Sequence, residues 1–122
     1  MNVNNRRITV RIEKELHTRI ETFIETEGFD TYIDAVKFLL RFTYISRSTY
    51  PLSAFNDLKL TYVDRIEKKM AFSEKLTRNI NSVSFNCWQL KHSFNDKVNI
   101  LLWIGIKEYQ RAIQKKEGRA WI

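Results

Sequence analysis

The sequence predicts a mainly α-helical protein that opens with one short β-strand. Three observations lead there. Apolar residues recur at three- and four-residue spacing over most of the chain, and glycine and proline are scarce, at three and one of 122 residues. Only the opening RRITVRI, Arg6 to Ile12, alternates between polar and apolar side chains.

Within that strand Arg7, Thr9 and Arg11 share one face, and Ile8, Val10 and Ile12 the other. Glu13 to Glu27 then places Leu16, Ile20, Phe23 and Ile24 on one helical stripe, and Gly28 supplies the stop. Thr31-x-x-Asp34 has the form of a capping box opening a second helix, with Ala35, Val36, Leu39, Leu40 and Thr43 at core spacing as far as about Ile45. Tyr50-Pro51-Leu52-Ser53 marks the best boundary, because the residue before proline is disfavoured in the helical region. The expected division is 1–48 and 49–122. A third, long helix is expected from about Ala54, through Phe55, Leu58, Tyr62, Ile66, Met70, Ser73, Leu76, Ile80 and Val83, with the polar Ser73 marking a bend or break. The last helix should run from Phe94 to about Lys115, opened by Ser93-x-x-Asp96 and buried through Val98, Leu101, Leu102, Gly105, Tyr109 and Ile113. No internal repeat is evident.

A composition of 43% apolar and 29% charged residues reads as soluble and ordered. No apolar run approaches the roughly 20 residues of a membrane helix, and the polar, basic N-terminus lacks the apolar core of a signal peptide. The expected location is the cytoplasm. Cys87, the single cysteine, rules out an internal disulfide and is expected to fill space beside Trp88. With only His17 and His92 beside it, no zinc site and no cofactor is expected. Both histidines read as surface or capping residues.

The net charge of +7 favours an anionic partner, nucleic acid before a membrane surface. Residues 1–46 sum to zero, yet the arm and strand carry Arg6, Arg7 and Arg11 with no acid, while residues 13–30 carry two bases against six acids. Within residues 1–46 basic charge is therefore concentrated on the strand, and the net +7 lies in residues 47–122.

A two-sided strand without a partner in its own chain leaves a row of unpaired N–H and C=O groups. The simplest partner is the same strand of a second copy, and a helical chain of this size buries only a modest core alone. A homodimer is expected, with pairing of dimers into tetramers left open.

The order of strand, acidic link Glu13-Lys14-Glu15-Leu16, amphipathic helix, glycine turn and the Thr-capped helix GFDTYIDAV resembles the ribbon-helix-helix family of DNA-binding proteins over residues 6–45. The resemblance implies an intertwined dimer sharing a two-stranded antiparallel ribbon that enters the major groove. Carried over by position, Arg7, Thr9 and Arg11 read bases. Arginine can donate two hydrogen bonds to guanine, and threonine offers a hydroxyl and a methyl. The resemblance also implies a phosphate at the backbone amides of Thr31 and Tyr32, where a helix N-terminus favours an anion. Asp30 beside them opposes that contact unless it points away. Asn4, Asn5 and Arg6 are expected to reach flanking phosphates.

The segment KLTRNINSVSFN, Lys75 to Asn86, resembles the asparagine-rich helix of plasmid mobilisation accessory proteins at Asn79, Ile80, Asn81 and Val83. It departs where Thr77 and Ser82 replace glycine and glutamine. That resemblance implies a helical C-terminal module for oligomerisation or partner docking, with Asn79 and Asn81 as docking candidates and a relaxase as partner. The basic residues Lys68, Lys69, Lys75, Arg78, Lys91, Lys115 and Lys116 are either a solvated helix face or contacts to flanking DNA.

An enzyme is not expected. Two isolated histidines cannot assemble the metal site of a nicking enzyme, and there is no phosphate-cradling glycine loop or nucleophile elbow. Three functions compete: a relaxosome accessory factor at a plasmid transfer origin, a repressor of a plasmid or phage operon, and an antitoxin-like protein-interaction module. The periodic apolar pattern of 94–113 argues against the disordered tail that the third requires.

Overall fold

The computed structural model describes residues 5–44, 49–50, 63–85 and 93–116, with side chains over 7–43, 63–83 and 93–113. Expectations for Asn4, for the side chains of Asn5 and Arg6, for 51–62, for Cys87, Trp88, Lys91 and His92, and for the side chains of Lys115 and Lys116 lie outside these residues. The chain is mainly helical: β1 (Asn5–Ile12), α1 (Lys14–Glu27), α2 (Tyr32–Tyr44), β2 (Thr49–Tyr50), β3 (Ile66–Ser73), α3 (Glu74–Ser82), β4 (Ser84–Phe85) and α4 (Phe94–Lys116). No helix among the described residues is long and apolar enough to cross a membrane.

Local chemistry accounts for most boundaries. Gly28 ends α1 in the left-handed conformation, φ 78°, and donates its N–H to the Ile24 carbonyl at 2.8 Å; a side chain there would be strained. Thr31 Oγ1 accepts from the Asp34 N–H, and Ser93 Oγ from the Asp96 N–H, each at 3.1 Å, so both expected hydroxyl caps form.

The long third helix does not form over its expected course. Residues 66–73 are instead a strand, and α3 begins only after Ser73. Ile66 and Met70 are four apart and fit a helix, but Met70 and Phe72 are both buried and two apart, which only a strand places on one face. Ser73 is the cap of α3, its hydroxyl accepting from the Leu76 N–H at 3.0 Å.

This strand also replaces the partner expected from a second copy. β3 pairs antiparallel with β1 within the same chain, from Asn5 opposite Ser73 to Ile12 opposite Ile66. The edge that called for a second copy is already paired, so the ribbon needs no intertwining. Nor do 1–48 and 49–122 have separate cores: Val10, Ile12, Leu16, Ile20, Leu39 and Leu40 share one cluster with Met70, Phe72, Leu76, Ile80, Leu101 and Leu102. Burying each such side chain is worth about 1.5–3 kcal/mol, so the second segment completes the core of the first.

The two segments are in fact two copies of one plan. Val10, Ile12, Leu16 and Ile20 correspond to Met70, Phe72, Leu76 and Ile80, 60 positions on (70 − 10), and all eight are buried. Thr31, Asp34, Val36, Leu39 and Leu40 correspond to Ser93, Asp96, Val98, Leu101 and Leu102, 62 positions on (93 − 31). The unit β1-α1-α2 is thus repeated as β3-α3-α4, and an approximate two-fold axis relates them. Residues lie opposite their own counterparts only on such an axis. Thr9 pairs with Lys69, its counterpart in the ribbon. Where α2 packs on α4, a Cβ on Gly105 would come within 2.5 Å of Oγ1 of Thr43, its counterpart in the helices. The buried Thr43 hydroxyl donates to the Leu39 carbonyl at 2.6 Å and lies 3.1 Å from the carbonyl of Leu101, the counterpart of Leu39. The repeat is not evident in the sequence because it is confined to buried and capping positions.

Candidate nucleic-acid interface

Alternation along the paired strands sorts the ribbon into two faces. Val10, Ile12, Met70 and Phe72 are buried beneath, while Arg7, Thr9, Arg11, Glu67 and Lys69 are exposed above, with Ala71 half-buried among them. The register sets Arg7 beside Ala71, Thr9 beside Lys69 and Arg11 beside Glu67. Arg11 Nε lies 3.2 Å from Glu67 Oε2, both side chains well exposed at 61% and 59%. The face therefore carries three cations and one carboxylate, and that carboxylate restrains one arginine.

Arg7, Thr9 and Arg11 lie together as the sequence predicts. Lys69 joins them only through the fold, since a helical spacing of 66–73 scatters its neighbours. The alternation of Met70 and Phe72 was the available signal.

The first turn of each second helix meets the ribbon through a side chain, Tyr32 of α2 beneath Lys68 and Asn95 of α4 at Arg11. At α2, Lys68 leaves the underside of β3 with its Nζ 4.5 Å from the centre of the Tyr32 ring. Lys68 thus lies over the ring of Tyr32, one of the two residues whose amides were singled out as phosphate ligands, with Thr31 and Asp30 both exposed. Tyr32 is half-buried, and its hydroxyl lies 3.0 Å from His17 Nδ1. His17 Nε2 in turn lies 3.3 Å from Glu21 Oε2. The assignment that satisfies both has Tyr32 donating to Nδ1 and Nε2–H facing the carboxylate. Burial, and secondarily Glu21, raises the Tyr32 hydroxyl far above its ordinary range, in keeping with that donor role. His17 is therefore a packed bridge between α1 and α2 rather than the surface or capping residue expected.

At α4 the flank is tied down by side chains. Asn95 Oδ1 accepts from the Arg11 N–H at 3.1 Å. Asn99, fully buried, accepts from the Glu13 N–H and donates to the Arg11 carbonyl, each at 2.9 Å. The Glu13 carboxylate accepts from the Trp103 indole N–H, and Arg65 pairs with Asp96 at 3.6 Å. These bonds fix the end of β1 and hold Arg11 in place. Asn99 is not among the residues singled out from the sequence, because an asparagine within a helix has no local signature.

The asparagine-rich segment is helical only over residues 75–82, within α3; Ser84–Phe85 is β4, and Asn86 lies outside the described residues. Ile80 and Val83 are core residues, Asn79 is half-buried and Asn81 exposed. Lys97 Nζ donates to the Asn81 carbonyl at 2.7 Å. Lys75 and Arg78 are exposed on the same helix, Arg78 bonded to Glu74 at 3.2 Å. Among the described residues no group of three His, Cys, Asp or Glu side chains could hold a metal.

Compared with family models, with curated proteins and with solved structures, the chain finds no match in any of the three.

Proposed function

We propose that this chain is a sequence-specific double-stranded DNA-binding protein whose β1/β3 ribbon enters the major groove. The observation that carries the reading is the outer ribbon face: Arg7, Thr9, Arg11 and Lys69 exposed together on a strand pair whose other face is anchored in the core. A two-stranded ribbon matches the major groove in width, and arginine and lysine donate to guanine O6 and N7. The N-terminus of α2, with Lys68 over the Tyr32 ring, supplies a phosphate anchor at Thr31 and Tyr32; Asn5 and Arg6 extend the backbone contacts.

Fluorescence anisotropy on duplexes recovered from a random pool tests it. Arg7→Ala, Arg11→Ala and Lys69→Ala should each cost about 1–3 kcal/mol on the selected duplex and much less on random duplex. Equal losses on both would make these phosphate contacts, and no binding to either would end the proposal.

Within this reading the protein acts as a relaxosome accessory factor at a plasmid transfer origin, the exposed face of α3 around Asn81 docking a relaxase. Footprinting across its own replicon tests the setting. Protection beside a nick site, with relaxase capture lost in the Asn79→Ala, Asn81→Ala variant, supports it. Protection confined to its own promoter, without capture, makes the protein a repressor instead.

A further inference from the structure

We propose that a single chain is a complete DNA-reading unit, and that the base pairs under its ribbon form a non-palindromic sequence. The inference rests on the DNA-binding reading above. A ribbon made by two identical chains presents the same triplet twice about a two-fold axis, so its best target is symmetric. This chain keeps that backbone symmetry, with Thr9 opposite its counterpart Lys69, but breaks it in the side chains. Arg7, Thr9 and Arg11 on β1 correspond to Glu67, Lys69 and Ala71 on β3.

The two ends of the ribbon consequently offer different chemistry. At one end Arg7 lies beside Ala71, an arginine fork next to a methyl that suits a guanine neighbouring a thymine. At the other, Arg11 lies beside Glu67 and is bonded to it at 3.2 Å. There the carboxylate can accept from cytosine N4 while fixing the guanidinium next to it. At the centre one ammonium, Lys69, stands against one hydroxyl, Thr9. No inverted arrangement of bases satisfies both ends equally. From Arg7 to Arg11 a strand advances about 13 Å at roughly 3.3 Å per residue, the length of about 4 base pairs.

The test is selection of the full-length chain on a random duplex pool, followed by sequencing and by native mass spectrometry on the recovered duplex. The expected result is a core of about 4 base pairs that is not its own reverse complement, bound by one chain. Making that core palindromic from either half should weaken binding at least 10-fold, since each mismatched pair usually costs about that much or more. A palindromic core, or two chains required on one core, overturns the inference while leaving DNA binding intact. No enrichment at any salt overturns DNA binding itself, and this inference with it. As a second arm, Glu67→Arg, Lys69→Thr and Ala71→Arg together give β3 the outward triplet of β1. The folded variant should select a palindromic core, and an unchanged core would overturn the assignment of these side chains as readers.

Discussion

Replacing Gly105 with alanine probes the axis on which the two halves of the chain meet. The added methyl would lie 2.5 Å from Thr43 Oγ1, 3.1 Å from the Leu39 carbonyl oxygen and 3.4 Å from Leu39 Cβ. The first distance is impossible without movement. Thr43 cannot turn away freely, because its hydroxyl is bonded to the Leu39 carbonyl at 2.6 Å. Overpacking of this kind costs about 1–3 kcal/mol. Alanine recovers up to about 1 kcal/mol of helix propensity, so Gly105→Ala should destabilise by up to about 2 kcal/mol. In a Thr43→Ala background the worst clash is gone, and only the 3.1 Å approach to a backbone oxygen remains. There the same substitution should be neutral or mildly stabilising. Urea denaturation of the four proteins, followed by far-UV circular dichroism, reads the coupling directly; about 1–3 kcal/mol is expected. If Gly105→Ala has the same effect in both backgrounds, Thr43 does not set the approach of α2 to α4 and the reasoning fails.

Asn99→Leu should destabilise by about 2–4 kcal/mol in the same assay, because it strands the Glu13 N–H and the Arg11 carbonyl at the end of β1; a loss below that range would mean water replaces the amide. Glu67→Ala should change stability by less than about 0.5 kcal/mol, since its pair with Arg11 is exposed, yet raise affinity for random duplex by removing the only carboxylate described on the ribbon's outer face. Unaltered affinity would place that face away from DNA. Tyr32 predicts an alkaline weakening: its folded-state pKa lies above the ordinary value of 10.0, so its contribution is intact below that pH and falls as pH rises toward the folded value. Stability should drop above about pH 10 more steeply in the wild type than in Tyr32→Phe, by up to about 1.4 kcal/mol per pH unit. Parallel profiles would show that the hydroxyl ionises as easily folded as unfolded.

Short-range signals are legible in the amino-acid order alone. Thr31-x-x-Asp34 and Ser93-x-x-Asp96 each announce a helix start through a bond closed within three residues, and Gly28 announces a stop through its own backbone freedom. RRITVRI announces a strand by alternation, which also puts Arg7, Thr9 and Arg11 on one face. Residues 66–73 mislead because Ile66, Met70 and Ser73 satisfy a helical spacing, and Lys68 interrupts the alternation at an inward position. Its ammonium escapes the underside to reach Tyr32, an outlet that exists only once α2 is in place.

What the sequence determined by itself is therefore the set of local elements and the outward arginines of β1, since caps, turns and periodicity depend on neighbours a few residues apart. What the tertiary structure decided is which strand completes the ribbon. A strand such as 66–73 is stable only if another edge receives its N–H and C=O groups and a core receives Met70 and Phe72. The edge is supplied by β1, more than 50 positions away, and the core by the helices behind it. The same pairing brought Lys69 and Glu67 onto the candidate interface and made two different halves into one ribbon.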